Sequence, residues 1–135
     1  MSGQQLHPKE IETVLALSGT ERYGYFVERV ADREEVWGLQ NEEGWVLIGF
    51  EDGDAFCLWP HPDYARACTV GDWSDCAPEP ISLEELVGEL LPALLRDNLR
   101  LAIFPTPAGE AVVVHPGDFQ EHLKSTFEHF RSHDT

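Results

Sequence analysis

The sequence predicts an α+β fold: a sheet of about five short strands, antiparallel or mixed, packed with about five helices in the order ααβββααββα. Three observations carry that reading. Segments with apolar residues at helical spacing open and close the chain and recur in its middle. Between them lie runs of four to six residues rich in valine, tryptophan and phenylalanine. Those runs are bounded by turn-forming clusters such as Glu51-Asp52-Gly53-Asp54 and Pro105-Thr106-Pro107. A chain of 135 residues suits one domain, with 1–19 as a helical lead-in, 20–131 as the core and 132–135 as a tail expected to fray.

Leu6, Ile11, Val14, Leu15 and Leu17 predict a first, loosely amphipathic helix. Ser18-Gly19-Thr20 breaks it, with Gly19 suited to the C′ position and Thr20 to the next N-cap. The second helix, over 21–32, places Tyr23, Phe26, Val27 and Val30 on one face and Glu21, Arg22, Glu28, Arg29 and Asp32 on the other. Val36–Leu39, Trp45–Phe50 and Ala55–Trp59 read as a three-stranded antiparallel meander, with the Asp52-Gly53 turn closing its second hairpin. Pro60 ends the third strand, and Pro62 starts a short helix over 62–69 for which His61 is an N-cap. Residues 71–80 read as an irregular loop. Ser82-Leu83-Glu84-Glu85 is a capping box. The helix it opens carries Leu83, Leu86, Val87, Leu90, Leu91, Leu94 and Leu95 on one apolar face, is interrupted at Pro92 and ends at Asp97-Asn98. Strands over 99–104 and 110–114 follow. A last helix begins at Pro116, with Phe119, Leu123, Phe127 and Phe130 as its buried stripe.

Composition narrows the function classes. Apolar residues make up 42% of the chain, which excludes global disorder, and no apolar run approaches the ~20 residues of a membrane span. The N-terminus lacks a secretory pattern, so a cytoplasmic location is expected. Three cysteines (Cys57, Cys68 and Cys76) with no Cys-x-x-Cys spacing fit neither a disulfide framework nor a zinc site. The net charge of −16 is concentrated: residues 34–95 hold fourteen acids and one base, Arg66. A field of that sign disfavours direct binding to nucleic acid or to an anionic membrane. It suits either solubility or a face for a basic partner.

The order of several short motifs is distinctive. Trp37-Gly38-Leu39, Gly44-Trp45, Trp59-Pro60 three residues after Phe56, Tyr64-Ala65, Gly71-Asp72-Trp73, Ile81 to Glu85, Leu91-Pro92 and Phe104 to Pro107 together resemble a bacterial family of unknown function, number 2750 among the domains of unknown function. The resemblance runs from about Tyr23 to Phe130. It implies a compact α+β domain of bacterial origin and carries over no activity and no ligand residues. Cys57 departs from the family's pattern, which has proline there, and that departure favours strand pairing.

No catalytic residue, cofactor or metal site is expected. Glycine-rich phosphate loops and nucleophile-elbow motifs are absent. His129 and His133 have a metal-ligand spacing, with His122 one heptad before, yet histidine near a helix C-terminus is also favoured by the dipole. Cys57, His61 and Asp63 are the inventory of a thiol nucleophile, but a proline-fixed turn separates them and an acidic field disfavours a thiolate. The remaining signal is aromatic and acidic. All four tryptophans fall within 34–95, and Trp73, then Trp59, are the two expected at the surface. The candidate binding set is Trp59, His61, Tyr64, Asp72, Trp73, Glu42, Glu43, Asp52 and Asp54. The expected function is a non-enzymatic acidic protein-binding module that engages a basic partner in an immunity-type or regulatory role. The alternative is a small enzyme or ligand-binding domain with a cleft between Trp59–Tyr64 and Gly71–Asp75.

Overall fold

The computed structural model describes residues 6–51 and 53–133, with side chains described as far as His129. It is an α+β fold with two sheets. Helices α1 (Pro8–Leu15) and α2 (Gly19–Arg33) lead into strand β1 (Glu35–Asn41), followed by β2 (Gly44–Trp45), β3 (Leu47–Phe50) and β4 (Gly53–Leu58). Helix α3 (Pro62–Ala67), a 3-10 turn (Gly71–Trp73) and strand β5 (Ala77–Ser82) come next. Then follow α4 (Leu83–Glu85), a π-turn (Leu86–Leu90), α5 (Leu91–Arg96), strands β6 (Arg100–Ile103) and β7 (Val112–Val114), and α6 (Pro116–His133). One sheet has the order β2-β1-β5 and the other β3-β4-β6-β7. The second is mixed, because β4 and β6 run parallel while its other pairs are antiparallel.

The expected meander is therefore divided. Its middle strand breaks at Val46, so Trp45 pairs with β1 while Leu47 pairs with Phe56 on β4. Val46 holds the crossing point: its amide donates to the Leu39 carbonyl at 2.9 Å and its own carbonyl accepts from Cys57. A reciprocal pair of bonds between Trp37 and Trp59, at 2.7 and 2.8 Å, joins the two sheets directly. Residues 71–80 are also more regular than the turn residues suggest, since β5 pairs with β1 from Ala77 to Ser82. The amide and carbonyl of Trp37 pair with Trp59 and the carbonyl of Leu39 accepts from Val46, so Val36, Gly38 and Gln40 are the β1 residues that turn toward β5. Pro78 and Pro80 stand opposite Leu39 and Trp37, and therefore lack no ladder bond.

Two helix starts follow from side-chain chemistry. Ser18, not Thr20, caps α2. Its Oγ accepts from the Glu21 amide at 3.2 Å while Glu21 accepts from the Ser18 amide at 3.2 Å, which makes Gly19 the first helical residue rather than a C′ cap. The box expected at Ser82 and Glu85 forms. Beyond it the helix takes an extra residue, and the Leu91 amide donates to the Leu86 carbonyl. Pro92, with no amide to give, stands where α register resumes. That insertion rotates the face: Leu86, Leu91 and Leu94 are buried, whereas Leu95, expected among them, is exposed. Asn98 ends the helix in the left-handed conformation, at φ 59°.

The core lies between the sheets and helices α2 and α6. Phe26 of α2 meets Phe119 of α6 at 5.8 Å between ring centres, and Leu123 continues the α6 stripe; Phe127 is half-buried. The side chain of Phe130 lies outside the described residues. Arg22 departs from the expected polar face of α2, for it is buried at 2% exposure. Its Nε donates to the Phe104 carbonyl at 3.1 Å and its guanidinium to the Leu17 carbonyl at 2.9 Å. Phe104 itself has φ 54°, a conformation that costs a bulky residue about 1–2 kcal/mol. The turn it makes aims consecutive carbonyls inward. Phe104 offers its oxygen to Arg22, and Pro105 offers its oxygen to the Trp59 indole at 2.9 Å and the Cys68 thiol at 3.3 Å.

Candidate functional site

The expected binding residues separate into interior and surface. Trp59 and Tyr64 are fully buried, contrary to the expectation for Trp59. Trp59 is drawn in by the Pro105 carbonyl, and Tyr64 by Phe104 at 4.8 Å between rings and by the Tyr25 hydroxyl at 3.0 Å. His61 is half-buried and caps α3, its Nδ1 accepting from the Asp63 amide at 3.1 Å. Trp73 is half-buried in the 3-10 turn, edge-on to Trp59 at 6.2 Å, and Asp72 beside it is exposed. Glu42 and Glu43 are exposed in the β1–β2 turn, and Asp54 is exposed at the start of β4. Asp52 lies outside the described residues.

Of the residues expected to flank a cleft between Trp59–Tyr64 and Gly71–Asp75, Trp59 and Tyr64 are part of the core. Trp73 instead borders a hollow of about 270 Å³ with Ile48, Val70, Pro105, Pro107 and Ala111. Its walls are apolar. The Thr106 hydroxyl there accepts from the Glu110 amide at 3.3 Å, so it is already engaged.

A second groove joins residues that the sequence reading kept apart. Trp45 on β2, Phe56 on β4, Ile81 on β5, Glu85 at the end of α4, and Glu89 and Leu90 in the π-turn line a hollow of about 290 Å³. Trp45 is held on two sides. Its ring meets Phe56 at 5.5 Å, and Gly38 lies so close that a Cβ there would stand 2.7 Å from Cζ3. The indole is nevertheless 37% exposed, and Leu47 near it is 42% exposed. Glu85 uses Oε1 in the capping box with Ser82. Glu89 makes no hydrogen bond or ion pair with the described residues. The one sequence signal for this groove was the i, i+4 spacing of Glu85 and Glu89 opposite a strand carrying Trp45 behind a glycine turn.

Cys57, the thiol of the thiol–imidazole inventory, is buried. Burial pushes the Cys57 thiol up to about 12, with the Cys68 sulfur adding to the effect, and burial pushes Cys68 up to about 11. Protonated, buried thiols are not nucleophiles. His61 meanwhile spends Nδ1 on its cap. Among the candidate metal-binding histidines, His122 directs Nδ1 to the Tyr23 hydroxyl at 2.6 Å, and the side chain of His133 lies outside the described residues. Burial first, and then the Asp118 carboxylate, push the Tyr23 hydroxyl up to about 12. No helix among the described residues is long and apolar enough to cross a membrane.

Fold and surface together define a small α+β domain with an aromatic groove rimmed by acids. The family model for a protein of unknown function, DUF2750, matches residues 23–123, and the chain belongs to that family. No curated protein and no solved structure matches it.

Proposed function

We propose that this protein is a non-enzymatic binding module whose acidic, aromatic face takes a basic partner protein in the bacterial cytoplasm, in a neutralising or regulatory role. One observation carries the reading. Residues 34–95 hold a single base, Arg66, and its guanidinium is already paired with Asp63 at 2.7 Å. The acids Glu42, Glu43, Glu51, Asp54, Glu84, Glu85 and Glu89 are exposed with no other base in that segment to offset them, and Glu85 and Glu89 line a groove with Trp45. Such a field raises the encounter rate with a cationic surface and is screened by salt. The test is in-cell cross-linking, identification of the captured protein and reconstitution with that protein purified. Binding should weaken steeply between low and physiological salt and vanish on reversing Glu42, Glu43 and Asp54 to lysine. A partner bound equally well by the reversed variant would defeat the proposal.

A further inference from the structure

The geometry points to the Trp45 groove as a seat for an arginine side chain on the partner; this rests on the acidic-face reading and names the contact at its centre. Three features select that occupant. An indole is the best aromatic partner for a cation, and Trp45 both lines the groove and is 37% exposed. The floor made by Phe56, Ile81 and Leu90 offers apolar surface for a three-carbon stem, which a small hydrated ion would not use. Glu85 and Glu89 stand at the rim, and Glu89 has no partner of its own among the described residues. A guanidinium is planar, weakly hydrated and able to stack on a ring while its edge donates to a carboxylate, so it fits this combination better than an ammonium does.

The π-turn gives the groove its shape. Within the turn Leu86 is buried, while Glu89 and Leu90 line the groove together with Trp45 of β2 and Ile81 of β5. Insertions of this type are frequent at functional sites. The seat is also pre-formed. Gly38 and Phe56 fix the indole, and the Ser82–Glu85 box fixes the start of the helix, so little ordering is left for the moment of binding.

The test uses the full chain labelled with 15N-tryptophan and titrated with three blocked tripeptides, Gly-Xaa-Gly, in which Xaa is arginine, lysine or citrulline. The arginine peptide should shift the Trp45 indole resonance, assigned through Trp45→Leu, and should bind about three- to five-fold more tightly than the lysine peptide. The citrulline peptide, of equal shape and no charge, should leave the resonance in place. Glu89→Gln, a surface change that leaves the fold intact, should weaken the arginine peptide about three-fold. Equal shifts with citrulline, equal affinity for lysine, or a response only at another tryptophan would overturn the groove assignment. If the Trp45→Leu and Glu89→Gln proteins keep full, salt-sensitive affinity for the purified partner, the groove is wrong and the acidic face stands. If no basic ligand binds at low salt, both readings fall.

Discussion

Replacing Arg22 with methionine isolates the contribution of a buried cation. Met keeps the length and apolar stem of the side chain and removes both donors, so the Phe104 and Leu17 carbonyls lose partners at 3.1 and 2.9 Å. A hydrogen bond from a charged donor contributes about 1.5–3 kcal/mol, so the two together contribute about 3–6 kcal/mol. Against that stands relief from burying a guanidinium that forms no ion pair among the described residues, of order 1–2 kcal/mol. The net expected loss is about 1–5 kcal/mol. With a urea m-value of about 2 kcal/mol/M, the unfolding midpoint should fall by about 0.5–2.5 M. Arg22→Lys should lie between the two, because one ammonium cannot reproduce the fork that serves both carbonyls. The assay is equilibrium urea unfolding followed by far-UV circular dichroism. A midpoint within about 0.3 M of the wild type, or above it, would show that the carbonyls find other donors and that the Phe104 turn does not depend on Arg22.

Ser82→Ala removes one side of a reciprocal cap and should cost about 1 kcal/mol, read from the same unfolding curves; an unchanged midpoint would mean the π-turn, not the box, fixes this helix. Gly38→Ala places a methyl 2.7 Å from the Trp45 ring and should drive the indole off Phe56, at a cost of about 1–3 kcal/mol and with a change in its 15N resonance; an unmoved Trp45 signal would contradict the packing. Stability should also fall at alkaline pH. Cys57 and Cys68 hold their protons to about 12 and 11 when folded, against 9.0 for the free thiol, so the unfolded chain binds fewer protons in that interval. The stabilisation is complete below about pH 9 and is lost as pH climbs toward 11–12. In the Cys57→Ala/Cys68→Ala protein the decline over this range should be shallower, and an identical slope would assign it elsewhere.

Features set by near neighbours were legible in the sequence. Ser82 and Glu85, and His61 before Pro62, each depend on contacts within about one helical turn, and each stands where it was expected. Features set by distant partners were not. Whether an indole faces in or out was decided for Trp59 by the Pro105 carbonyl, 46 residues away. Arg22 reads as a surface residue until the chain brings Phe104 to it, 82 residues on. The prolines of β5 hid a strand, because the alternation that lets Pro78 and Pro80 avoid the ladder appears only once β1 is alongside. The groove combines both kinds of failure: Glu85 and Glu89 share one helical stretch, but Trp45 reaches them only through the break at Val46 and the extra residue in the π-turn.

The prolines of β5 also govern how this chain can associate with others. A strand joining the three-stranded sheet on its β5 side would meet Pro78 and Pro80, neither of which has an N–H to offer. That rim is closed to edge-to-edge growth, whether by a second copy or by an unfolded neighbour. The edges that remain are β2, β3 and β7, and β3 carries the exposed Leu47, two residues after Trp45 of β2. The two prolines therefore blunt one of four edges, and they leave open β2, the strand whose Trp45 lines the groove.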